Sequence, residues 1–143
     1  MTKDQDHVDV IDTTVQKTNT WLNDLSRELG GLPRKEAYDM LRGFLHVLRD
    51  RLAVDEAAQL GAQLPLLVRG IYYEGWDPSK TPLKMDRAEF VDRFARIASL
   101  KPPADPELVL QAAAATLRMH ISEGEYEDVI VSMPMSLREL LTV

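Results

Sequence analysis

Shifting the 143-residue chain against itself by 69 positions, without a gap, aligns residues 20–74 with residues 89–143. Self-similarity at such a period constrains a fold more than any local motif. Each copy must form the same supersecondary unit and bury its apolar face against something. Eight of the 55 pairs are identical, among them Pro33/Pro102, Leu48-Arg49/Leu117-Arg118, Glu56/Glu125, Pro65/Pro134 and Arg69/Arg138. Apolar pairs such as Trp21/Phe90, Leu25/Phe94, Leu60/Val129 and Val68/Leu137 keep the core pattern in register with that punctuation. The chain reads as a tandem duplication, with units over about 8–76 and 86–143 and a linker over about 75–85. Together they are expected to form a single compact domain, 1–143.

Each copy reads as four helices. Val8, Ile11, Val15, Thr18, Leu22, Leu25 and Leu29 alternate spacings of three and four, an a/d stripe that predicts a helix over about 8–29. Gly30-Gly31 stops it after about 33 Å. Pro33 opens a second helix with Ala37, Leu41, Phe44, Leu45, Leu48 and Leu52 inward; a short third covers about 55–63, and Pro65 opens a fourth. The second copy repeats the order behind the caps Asp86-x-x-Glu89, Asp105-Pro106 and Ser122-x-x-Glu125. Only Val129-Ile130-Val131 is rich in strand formers, and it lies on a helical stripe. The expected class is all-α: a helical bundle of two pseudo-symmetric tandem four-helix units with a long N-terminal helix. Gly43-Phe44-Leu45-His46 aligns with Ala112 to Ala115, so Phe44 or Leu45 is expected to fill the volume left by the alanines.

Composition removes several functions. With 17 basic against 23 acidic residues the formal charge is −6, which opposes non-specific phosphate binding, and no nucleic-acid partner is expected. No apolar run approaches the roughly 18–20 residues of a membrane span, so no membrane partner is expected either. The polar, acidic N-terminus is unlike a secretory leader, and the lack of cysteine excludes thiol chemistry and suits a reducing cytoplasm.

Catalytic signatures are missing: the seven glycines form no phosphate-binding loop, and neither G-x-S-x-G nor H-E-x-x-H occurs. His46 with Asp50, and His120 with Glu123, sit at helical spacing, but two ligands do not make a zinc site. Asp4-x-Asp6-x-Val8-Asp9 fails as a calcium loop, with Val8 at a ligand position and Asp9 where glycine is needed. Glu123, Glu125, Glu127 and Asp128 read as a solvated helix start that complements the helix dipole, with weak divalent-ion binding as the alternative. Neither metal nor cofactor is therefore expected. Residues 54–71 imitate a helix-turn-helix, but the would-be recognition helix, Leu64 to Gly70, offers a single basic side chain for base contacts. Lys35, Arg42 and Arg49 form a basic stripe, expected to pair with surrounding acids.

Two residue sets stand out. Arg49, Glu56 and Arg69, with their copies Arg118, Glu125 and Arg138, are retained in both units and are expected to make structural ion pairs or cap helix C-termini. Tyr72, Tyr73 and Trp76 occur only in the first copy, beside Gly75. They suit either a partner surface or packing of the linker onto the seam between units.

Over Leu48 to Trp76, with Leu48-Arg49-Asp50-Arg51-Leu52, Asp55-Glu56-Ala57-Ala58 and Val68-Arg69-Gly70-Ile71-Tyr72-Tyr73, the chain resembles the bacterial domain-of-unknown-function family 2267. That resemblance runs through both copies and implies a bacterial cytoplasmic protein, with no catalytic residues to transfer. The expected function is a small non-enzymatic interaction module that binds a protein partner or a second copy of itself. The alternative is a carrier or sensor for a small hydrophobic or anionic ligand held between the units.

Overall fold

A computed structural model describes residues 6–143, which contain eight α-helices and no strand. The helices are α1 Asp9–Glu28, α2 Arg34–Arg51, α3 Val54–Ala62, α4 Leu66–Tyr73, α5 Arg87–Ile97, α6 Pro106–His120, α7 Glu123–Ser132 and α8 Met135–Leu141, with one 3-10 turn at Pro78–Lys80 in the linker. Val129-Ile130-Val131 lies inside α7.

Local chemistry accounts for the boundaries. Gly30 and Gly31 adopt φ of +82° and +107°, and their amides close on Arg27 O and Ser26 O at 3.1 and 2.8 Å, ending α1. Ser99, which the 69-residue shift places on Gly30, takes the same left-handed turn after α5 at φ 56°. In the second half the side chains of Asp86, Asp105 and Ser122 accept from Glu89 N, Glu107 N and Glu125 N, so all three expected caps form.

One contiguous core draws on both halves: Trp21 and Leu25 from α1, Leu41, Phe44 and Leu48 from α2, Phe90 and Phe94 from α5, and Leu117 from α6. Helix α2 is the centre of the bundle. Every residue from Gly43 to Asp50 is buried, and α1, α4, α5 and α6 all pack on it. A Cβ at Gly43 would lie 3.0 Å from Ala98 N, so glycine permits the close approach of α2 to the end of α5. Ala113 and Ala114 are fully buried, as are Phe44 and Leu45, so the alanine run is a packed face rather than a solvated one.

The a/d stripe of α1 is only half used. Thr18, Leu22 and Leu25 are buried, but Val8, Ile11 and Val15 lie between 44% and 55% exposed. Periodicity predicts a partner for the whole stripe, whereas the counterpart α5 begins only at Arg87 and, among the described residues, nothing covers Val8, Ile11 and Val15.

Candidate functional site

The four repeated arginines perform one task twice. Arg69 Nε donates to Gly61 O at 2.9 Å and its Nη2 to Leu64 O at 2.9 Å, closing the end of α3. Arg138 closes the end of α7 by donating to Met133 O and Val131 O, each at 2.8 Å. Arg49 Nη1 donates to Tyr72 O at 2.9 Å and Glu74 O at 2.7 Å, and Arg118 Nη1 donates to Val143 O, the position matching Glu74. Guanidinium forks thus satisfy the orphan carbonyls at helix ends.

The glutamates of the same set correct the expected ion pairs. Arg49 pairs instead with Asp50 at 2.9 Å, and Arg118 with Glu123 at 2.8 Å. Glu56 and Glu125 face each other across the contact between α3 and α7, joined by Asp128, with one oxygen of each residue within 4.8 Å of the others. The reason lies in a half-made capping box. Ser122 caps Glu125 N, but Ser122 N donates to Gln63 of the first half at 3.1 Å, so the Glu125 carboxylate has no amide to return to. Glu56 Oε1 and Glu125 Oε2 are buried without a hydrogen-bond partner. Burial first, then the neighbouring carboxylates, holds both carboxyls above the ordinary glutamate range. No sequence motif links residues 69 apart; the repeat register, which pairs Glu56 with Glu125, was the available signal.

The aromatic segment packs largely within the first half. Tyr72 is fully buried and donates its hydroxyl to Ala57 O at 2.7 Å; burial raises its pKa. In the second half Tyr126 donates to Leu141 O at 2.5 Å, and burial pushes it up to about 12. Since Tyr126 matches Ala57 and Leu141 matches Tyr72, the same bond is made in the reverse direction. Tyr73 lies edge-on to Tyr72 with centroids 5.0 Å apart, sits 5.2 Å from the Trp76 ring, and reaches over Gly61 on α3. Trp76 is half-buried, with Nε1 enclosed and unpartnered.

The other sequence candidates are absorbed by structural bonds. His46 is buried and donates Nε2–H to Ile71 O at 2.7 Å; burial is the main cause that lowers its pKa. Asp50, its neighbour at helical spacing, serves Arg49 and approaches Arg93 at 3.7 Å. Lys35 pairs with Asp39 and Arg42 with Glu74, so the basic stripe is spent. His120 turns away from Glu123, bonds Asp24 of α1 at 2.7 Å, and stacks on Trp21 with centroids 4.6 Å apart. Asp4 of the acidic N-terminal motif lies outside the described residues, and Asp6 is exposed.

The His120–Trp21 stack walls a groove of about 530 Å3 where the halves meet, between α1, the α3–α4 turn and the end of α6. Lys17, Thr20 and Trp21 form one side, Gln63 to Leu66 and Arg69 the other, and His120 the end. Three basic side chains and no carboxylate line it among the described residues, although the chain as a whole is acidic. A shallower extension of about 360 Å3 continues along α1 past Thr14, Thr13 and Val10 to Asp9, its one carboxylate, sharing Lys17, Pro65 and Leu66. Thr14 Oγ1 accepts from Leu67 N at 2.8 Å and fixes the two walls together.

The model of a family described as an uncharacterized conserved protein (DUF2267) matches residues 18–140. No curated protein matches the chain. No helix among the described residues is long and apolar enough to cross a membrane.

Proposed function

The chain belongs to the DUF2267 family, and since that description names no activity, we propose from the geometry that it is a non-enzymatic binding protein whose groove takes a small anionic ligand. The observation that carries this reading is the lining: Lys17, in no ion pair among the described residues, and Arg69 meet in one groove in a protein of net charge −6, with His120, bonded to Asp24, at its end. A concave site with apolar walls and a few convergent polar groups is the usual form of a ligand site. Trp21, Pro65 and Leu66 supply apolar wall, so the ligand carries an apolar body with a carboxylate, sulfonate or phosphate head. The two halves act as duplicated units whose arginine clamps hold each one rigid, with the groove at their seam. The acidic, cysteine-free chain suits the bacterial cytoplasm.

Anilinonaphthalene sulfonate, an anionic aromatic dye, is the probe. It should bind one per chain with quenching of tryptophan emission, and Lys17→Glu should weaken it about three- to tenfold without a change in melting temperature. Equal affinity in the variant refutes the reading.

A second reading, self-association, is favoured by the unpaired half-stripe of α1. Val8, Ile11 and Val15 keep the spacing that a second copy of the same helix satisfies. Sedimentation should show a concentration-dependent dimer that Ile11→Glu/Val15→Glu abolishes; a wild-type monomer at every concentration excludes it.

A further inference from the structure

The carboxylates of Glu56, Glu125 and Asp128 stand apart from the groove and play no part in the reading above. We propose that they hold one calcium-sized divalent cation between α3 and α7. Calcium binds oxygen at roughly 2.3–2.6 Å, so no two oxygens on one ion stand farther apart than about 4.6–5.2 Å. One oxygen from each of the three residues already lies within 4.8 Å of the other two. A magnesium ion, with bonds of about 2.0–2.1 Å, demands a tighter, near-octahedral ligand set and gives up its waters reluctantly.

The second observation concerns Glu125 alone. It is only 8% exposed, its Oε2 is enclosed with no hydrogen-bond partner, and one oxygen of the same carboxylate belongs to the cluster. Its ordinary partner as a capping-box residue, Ser122 N, is bound to Gln63. Glu56 Oε1 is orphaned in the same way. A buried carboxylate without donor or counter-charge is costly, and two side by side cost more. Glu56, Glu125 and Asp128 take part in none of the ion pairs among the described residues. The geometry therefore offers three hard oxygen ligands and, among the described residues, no cation paired with them. Hard oxygen donors select calcium-class ions over zinc or copper. Asp128 is exposed and supplies the route by which the ion enters with its remaining waters. Because Glu56 lies on α3 and the other two on α7, the ion would tie the first half of the chain to the second.

The full chain, stripped with chelator at neutral pH, is titrated calorimetrically with calcium, magnesium or manganese chloride, and its melting temperature is followed. One calcium should bind per chain. The melting temperature should rise on the order of 5–10 °C at 100 times the dissociation constant, with magnesium weaker. Glu56→Gln/Glu125→Gln should abolish both effects, and without metal it should melt at or above the metal-free wild type. Asp128→Asn, at an exposed position, keeps the test open if the double variant fails to fold: it should weaken calcium at least about tenfold. Calcium binding that survives either substitution unchanged overturns the proposal. So does a wild type whose melting temperature ignores all three ions at millimolar concentration, which would leave the cluster to protons alone.

Discussion

Replacing Gly61 by alanine tests the packing of the aromatic segment on α3. An added Cβ would lie 2.2 Å from Tyr73 Oη, 2.7 Å from Cζ and 3.0 Å from Cε2. Contacts that short do not persist, so the Tyr73 ring must move by about 1 Å or more. It has little room to slide, being held by Tyr72 and Trp76 with centroids 5.0 and 5.2 Å away. Its escape is outward, because it is only half-buried. An aromatic side chain buries about 150–250 Å2, and losing about half of that at 25 cal/mol per Å2 costs about 2–3 kcal/mol. Alanine returns up to about 1 kcal/mol of helix propensity. The net is a loss of about 1–2 kcal/mol, or roughly 2–8 °C in melting temperature for a chain of this size. In a Tyr73→Ala background the clash is gone and only the propensity gain remains, so the sign should invert. Thermal melts of the four proteins of this cycle decide it. A neutral or stabilising Gly61→Ala in the wild type, or an equal cost in both backgrounds, refutes the reasoning.

Ala114→Phe should cost about 1–3 kcal/mol by overpacking, since Ala114 is fully buried; a near-unchanged melt would mean that the alanine face has room to spare. Tyr126→Phe should cost about 1–3 kcal/mol, because Leu141 O stands at a helix end and loses its donor, whereas Tyr72→Phe should cost about 1 kcal/mol, because Ala57 O lies within α3. Urea melts that rank the two the other way would contradict this. Burial, with Arg49 and Arg42 adding to it, lowers the pKa of His46 below its ordinary 6.5, while the bond to Ile71 O and the charge of Glu74 oppose the shift. The unfolded chain therefore binds more protons in that window. The His46 contribution to stability is complete above about 6.5 and is lost as the pH falls from there through the lowered folded value. Denaturation midpoints on either side of that window should diverge less for His46→Gln than for wild type, and parallel lines for the two proteins would exclude the coupling.

Helices, their order and most of their ends were legible without a structure, because they rest on local physics. Periodicity of 3.6 marks the buried faces of α2 and α6, and Gly30-Gly31, Asp86, Asp105 and Ser122 act within one turn of their own residue. Helix-end capping was one of the two roles that the sequence left open for Arg69 and Arg138, and each reaches carbonyls five to eight residues away. Tertiary structure alone decided the rest. Glu56 and Glu125 look like partners for the neighbouring arginines until α3 and α7 meet and the donor at Ser122 N is taken by Gln63 from the other half. His120 reads as a neighbour of Glu123, yet its bond goes to Asp24, nearly a hundred residues earlier, and that bond closes one end of the basic groove. The α1 stripe shows the converse: the pattern is uniform from Val8 to Leu25, but burial depends on whether another helix reaches that face, and among the described residues Val8, Ile11 and Val15 stay exposed. A sequence sets which groups can bond and which faces can bury. Which of several equivalent acids, carbonyls and apolar faces meets which is settled by helix packing, since contact depends on distance in space and the competing choices differ little in local energy.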